Sequence, residues 1–99
     1  MRIVIEVSKF RLVGDVTTDV FLEKNADYQQ RFAYQQDGLL RRTVASGLEG
    51  EWVAITFWRS MTDARRSAGE ASTSPVANAF QSLLEAGSID TEYFKELPG

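Results

Sequence analysis

The sequence predicts a single α+β domain in which a four-stranded antiparallel sheet carries its helices on one face. Short β-branched segments and amphipathic helical segments follow one another in the order β-α-β-β-α-β, which is the order of ferredoxin-like domains. Residues 47–50 (GLEG) join two consecutive strand segments as a short hairpin loop. The 99 residues, 43% of them hydrophobic and 25% charged, suffice for one globular domain spanning residues 1–99.

The first strand and first helix follow from local patterns. β-branched residues dominate residues 2–12, which therefore form the first strand. Thr17 and Thr18 are candidate N-caps for a helix that reaches Gln36 and ends at Gly38. The inward stripe of this helix has spacings of four, three and four residues and consists of Phe21, Asn25, Tyr28 and Phe32.

The central hairpin comprises strands 39–46 and 51–59. If Ser46 lies opposite Glu51, one face of the hairpin carries the aliphatic residues and Phe57, and we expect this face to meet the helices. The other face then carries Arg41, Trp52 and Trp58. A slip of one residue would reverse these assignments.

A broken second helix and a last strand complete the order. Ser60 is its predicted N-cap, with Asp63 three residues later, and Ser74-Pro75 restarts the helix as N-cap and N1. The helix ends at Gly87, and residues 91–97 alternate as a strand.

Composition excludes several kinds of chemistry. The chain has no histidine and no cysteine, so catalytic triads with histidine, histidine-ligated haem and thiolate metal sites are excluded. Its acidic residues show no metal-ligand spacing, and we expect neither metal nor cofactor. A net charge of −3 without a basic patch argues against nucleic acid as a partner. The apolar start, residues 1–5, is too short for a leader or a membrane span, and we expect a cytoplasmic protein.

Four short segments resemble one protein family. They are 37–42 (DGLLRR), 50–53 (GEWV), 57–60 (FWRS) and Asp63-Ala64. Together they resemble the dimeric α+β barrel superfamily, and within it bacterial antibiotic biosynthesis monooxygenase-like (ABM-like) domains. The resemblance implies a homodimer with a cavity between the sheet and its helices.

The resemblance also implies a choice of functions. One is cofactor-independent monooxygenation of a small aromatic or polyketide-like molecule; the alternative is a non-catalytic dimeric module that binds a small ligand or a protein. An isomerase or lyase would need a perturbed carboxylate, for which Glu6 is the candidate. Placed on the haem-degrading branch, the chain has Val7, Ser67 and Ala77 where that branch has its functional residues, so haem chemistry is rejected.

Six residues are the predicted site. Asn25 and Tyr28 share the inward helix face and are the predicted catalytic pair, binding a substrate carbonyl or phenol; a structural hydrogen bond and simple packing are the competing interpretations. The predicted substrate-binding residues are Phe21, Phe32, Trp58 and Arg41. For Trp52 and Trp58 we expect packing in a dimer interface, and for Arg41 an ion pair.

Overall fold

The computed structural model describes residues 2–99 and confirms the α+β prediction. Its strands are β1 (Val4–Phe10), β2 (Leu39–Ser46), β3 (Trp52–Trp58) and β4 (Asp90–Lys95). Its helices are α1 (Thr18–Arg31), α2 (Met61–Ala71) and α3 (Pro75–Gln81), with a single 3₁₀ turn at Ala33–Gln35. The sheet order is β2-β3-β1-β4, and every neighbouring pair is antiparallel.

The predicted caps begin the three helices. Thr17 Oγ1 accepts a hydrogen bond from the Val20 N–H at 3.2 Å, and Ser60 Oγ accepts one from the Asp63 N–H at 3.1 Å. Ser74 Oγ accepts from the Ala77 N–H at 3.2 Å, with Pro75 in the first turn. Helix α1 ends at Arg31, earlier than the predicted Gln36, because Phe32 leaves helical geometry (φ −128°, ψ −64°).

The helix α2 junction is fixed by a buried carboxylate. Asp63 accepts hydrogen bonds from Arg59 Nε (2.9 Å), Arg59 Nη2 (3.1 Å) and the Ser60 hydroxyl (2.9 Å), and it is also paired with Arg66. Gly38 (φ +86°) lies directly against this carboxylate, and its carbonyl accepts from the Arg59 N–H at 2.7 Å. The turn before β2, the end of β3 and the start of α2 are thereby tied together.

The predicted hairpin register was wrong by one residue. Ser46 pairs with Trp52, and Arg42 rather than Arg41 pairs with Thr56. The register error places Arg42 rather than Arg41 on the same face as both tryptophans, and the helices cover this face instead of the aliphatic face. A β-bulge between Leu39 and Arg41 adds a further irregularity to β2.

Two apolar clusters fill the space between the sheet and the helices. The larger one centres on Phe21, which is fully buried and whose ring centroid lies 4.5 Å from that of Trp52 and 5.7 Å from that of Phe80. In the smaller one Trp58 packs with Val4 and Ala64. The predicted dimer role for the two indoles is therefore wrong, because Trp58 is buried in the core of one chain and Trp52 packs, half-buried, against it.

Candidate functional site

Between the two clusters lies a cavity of about 370 Å³. Its floor is formed by β1, β2 and β3, and helix α2 lies above it. This helix turns Ala64, Ser67, Ala68 and Ala71 toward the cavity, at the spacing of one helix face. Small side chains on that face leave the space open. The mouth opens between α2 and β4, where Ile89 and Tyr93 are partly exposed.

A carboxylate lies in this cavity. One oxygen of Glu6 on β1 accepts a hydrogen bond from Trp58 Nε1 at 2.9 Å, and within residues 2–99 no other hydrogen bond is made to the Glu6 carboxylate. Burial raises the pKa of Glu6, while the Trp58 hydrogen bond and the positive charge of Arg42 act in the opposite direction. Glu6 is therefore a better proton acceptor than an ordinary surface carboxylate, and its second oxygen has no partner of its own.

A buried arginine also lines the cavity. Arg42 is only 8% exposed, and its Nη1 donates to Asn25 Oδ1 at 2.7 Å and to Gln29 Oε1 at 2.8 Å. Its guanidinium carbon lies 5.0 Å from the centroid of the Tyr28 ring and 5.5 Å from that of Phe80. Burial lowers the pKa of Arg42, but arginine stays protonated in proteins. The cavity thus holds a fixed positive charge.

The ring of Tyr28 forms an aromatic part of the cavity wall. It stacks on Phe80 with centroids 4.5 Å apart, and on Phe32 with centroids 5.5 Å apart. Burial raises the pKa of Tyr28, so its hydroxyl stays protonated at neutral pH and can donate a hydrogen bond.

The structure brings together only two of the six predicted site residues. Tyr28 and Trp58 line the cavity. Asn25 lies outside the cavity lining and accepts a hydrogen bond from Arg42, which matches the competing interpretation of a structural hydrogen bond. Phe21 and Phe32 are buried in the core, outside the cavity lining. Arg41 pairs with Phe57 on the face away from the helices and is exposed, so the cavity arginine is its neighbour.

Arg42 was not predicted from the sequence as a site residue, and Glu6 was considered only as the carboxylate of an isomerase or lyase. The one-residue register error exchanged Arg42 for Arg41. The available signal was the polar stripe of α1, because Asn25 and Gln29 are four residues apart and both reach one cation. For Glu6, the signal was a charge between Val4 and Ser8 on the same face of an apolar strand.

Within residues 2–99 no group of three or more acidic side chains is placed to hold a metal ion. In the same residues, no helix is both long enough and apolar enough to cross a membrane.

Sequence comparison does not place the chain in a family. No protein-family model matches it, and no curated protein matches it by sequence. Comparison of structures, in contrast, finds matches along the whole chain.

Three solved structures illustrate the likeness. SnoaB, a cofactor-independent oxygenase from Streptomyces nogalater, matches 100% of this chain and 97% of its own with a TM-score of 0.78 at 21% identity. The monooxygenase ActVA-Orf6 of Streptomyces coelicolor, in complex with nanaomycin D, matches 97% of this chain and 88% of its own with a TM-score of 0.74 at 19% identity. A candidate antibiotic biosynthesis monooxygenase from Nitrosomonas europaea matches 96% of this chain and 90% of its own with a TM-score of 0.75 at 11% identity.

The chain therefore has the ferredoxin-like fold of antibiotic biosynthesis monooxygenase-like proteins, as its sequence motifs predicted. At these identities the likeness establishes the fold, and the function must be argued from the cavity.

Proposed function

We propose that this protein is a cofactor-independent monooxygenase that acts on a small aromatic or polyketide-like molecule. The observation that carries the proposal is the cavity between the sheet and α2, in which Glu6 has a raised pKa and one free oxygen. A volume of about 370 Å³ falls within the range of roughly 300–1,000 Å³ that is usual for small-molecule sites. That SnoaB is an oxygenase of this kind adds support from the fold.

The proposed reaction begins with proton transfer to Glu6 from a hydroxylated aromatic substrate with an activated methylene group. The substrate anion then gives one electron to O₂, and the two radicals join through a new C–O bond as a hydroperoxide. Loss of water leaves a carbonyl group. The methylene carbon loses two hydrogens and gains one oxygen atom, and the second oxygen atom leaves as water. The substrate itself is the reductant, so the balance needs only O₂.

The side chains around the cavity have separate roles in this scheme. Arg42 supplies a fixed positive charge that favours binding of a substrate anion in the cavity. Tyr28 and Trp58 hold the ring plane, and Tyr28 donates a hydrogen bond from its neutral hydroxyl. Asn25 serves catalysis by fixing Arg42 through the 2.7 Å hydrogen bond.

Oxygen uptake tests the proposal. Metal-stripped protein is mixed with anthrones, naphthols and quinols, and consumption of O₂ is followed for the wild type, Glu6→Gln and Tyr28→Phe. Removal of a general base costs roughly 10²–10⁴-fold in rate, so Glu6→Gln should be nearly inactive. Glu92→Gln is the matched control, because Glu92 pairs with Val7 on the opposite face of the sheet. Uptake that is the same in Glu6→Gln and the wild type would refute the assigned base.

The alternative is a binding module without turnover. It predicts that aromatic compounds bind equally well with and without O₂, and that none is converted. Binding without uptake across the whole panel would favour this module over the oxygenase.

We further propose a homodimer. The sheet face away from the helices carries a contiguous set of half-buried apolar side chains: Ile5, Val7, Val53, Ile55 and Phe57. A monomer would leave this face in water, and a second copy packed face to face would cover it by symmetry. Sedimentation at micromolar concentration should give twice the chain mass of 11.1 kDa. Ile55→Glu should shift it to the monomer, and a wild-type monomer would refute the dimer.

A further inference from the structure

The cavity arginine lacks a negatively charged partner. Arg42 is 92% buried, since its exposed fraction is 8%, yet none of the ion pairs within residues 2–99 involves it. A charge that is removed from water is normally compensated by an opposite charge as well as by hydrogen bonds. Within residues 2–99 the groups bonded to this arginine are neutral, and the carboxylate of Glu6 acts on it only from beyond ion-pair distance.

Those hydrogen bonds leave part of the guanidinium free. The oxygens of Asn25 and Gln29 are neutral, and both accept from Nη1. No bond from Nε or Nη2 is made to another residue in the described part of the chain. In that part, no fully buried polar side-chain atom lacks a partner. The free nitrogens of Arg42 therefore retain access to space, and the space beside this side chain is the cavity.

Glu6 does not fill this role. Its carboxylate is bonded to Trp58 Nε1 and lies beyond ion-pair distance from Arg42. The two charged groups face the same cavity without meeting, which leaves room between them for a ligand group. The Tyr28 and Phe80 rings lie beside the guanidinium, so aromatic surface and positive charge adjoin one another in the cavity lining.

We infer that the ligand of this cavity is an aromatic molecule with its own carboxylate, which pairs with the free N–H groups of Arg42. Guanidinium and carboxylate fit one another through two parallel hydrogen bonds, and such charge-assisted bonds are the strong ones. The inference rests on the ligand cavity of the proposed function and names its substrate class, but it does not depend on oxygen chemistry.

The test compares matched ligands by isothermal titration under nitrogen. The pairs are 2-naphthoate against 2-naphthamide, and anthracene-2-carboxylate against its carboxamide. At pH 7 the wild type should bind each carboxylate roughly tenfold to a hundredfold more tightly than its amide. Equal affinities within both pairs, or no binding of any compound up to millimolar concentration, would overturn the inference.

Variants of the two adjacent arginines show which residue causes the preference for carboxylate over amide. Arg42→Gln should abolish it, while Arg41→Gln, the adjacent arginine on the exposed face, should preserve it. A preference that persists in folded Arg42→Gln would also overturn the inference. If Arg42→Gln does not fold, Arg42→Lys keeps the charge without the two-pronged geometry and should reduce the preference; the wild-type comparison is independent of both variants. A carboxylate preference without oxygen uptake would refute only the proposed oxygenase.

Discussion

Replacement of Asp63 by Asn should destabilise the fold strongly. The Asp63 side chain is 4% exposed. It forms ion pairs with Arg59 and Arg66 and accepts a hydrogen bond from the Ser60 hydroxyl. The removal of one partner from a buried ion pair costs about 3–5 kcal/mol. Here the arginine side chains are 44% and 43% exposed, so water can solvate them again after the change. We therefore expect a loss of about 2–3 kcal/mol.

Urea and thermal unfolding measure this loss, and Asp37→Asn is the matched control. Asp37 pairs with the same Arg59 at 3.5 Å, but its side chain is 76% exposed. Because exposed pairs contribute about 0–1 kcal/mol, the control should change stability little. In a domain of this size about 1 kcal/mol corresponds to roughly 4–8 °C, so Asp63→Asn should lower Tm by about 10 °C or more. Equal stability of the two variants would refute the assignment of Asp63 as the residue that fixes the start of α2.

Three further predictions concern the same junction and the cavity. Gly38→Ala should destabilise the domain, because the φ of +86° at this position disfavours a side chain and the added Cβ would collide with Asp63. Thermal unfolding followed by circular dichroism measures the loss, and an unchanged Tm would contradict this contact. Glu6→Gln should raise stability at pH 7 to 8, since the raised pKa means that ionisation of Glu6 opposes folding once the pH exceeds the usual value of 4.5. The gain over the wild type should shrink as the pH falls to 4.5, and a gain that is constant with pH would contradict the assigned cause. Ala68→Trp should block the mouth and abolish ligand binding in titrations, whereas Ala79→Trp on α3, outside the cavity lining, should bind normally.

Local sequence signals predicted the helix starts correctly. A cap depends on one hydroxyl and the next three residues, so Thr17, Ser60 and Ser74 could be assigned without knowledge of the tertiary structure. The predicted helix ends were wrong: Gly38 and Gly87 do adopt positive φ, but α1 ends at Arg31 and α3 at Gln81, well before these glycines.

The hairpin register could not be predicted, for two reasons. The loop holds five residues between the paired Ser46 and Trp52, one more than expected, and each residue of slip turns every side chain of a strand to the other face. Both faces of β3 are also apolar, with indoles on one side and Val53, Ile55 and Phe57 on the other. Hydrophobicity therefore did not distinguish the face that meets the helices.

The prediction of the cavity residues depended on the register of the hairpin. The inward position of Tyr28 could be predicted because a helix face is fixed by local spacing, whereas the arginine that lines the cavity, Arg42, lies one residue from the predicted Arg41. The raised pKa of Glu6 depends on burial beneath α2, which is a tertiary property that no local pattern contains.

The most direct test of the account is the origin of the oxygen in the product. Metal-stripped protein would be incubated with an anthrone under ¹⁸O₂, and the product would be analysed by mass spectrometry beside Glu6→Gln. We expect one ¹⁸O atom in each product molecule from the wild type, and product formation at least about 100-fold slower in Glu6→Gln. Oxygen derived from water, or labelled product formed equally fast without the Glu6 carboxylate, would contradict the account.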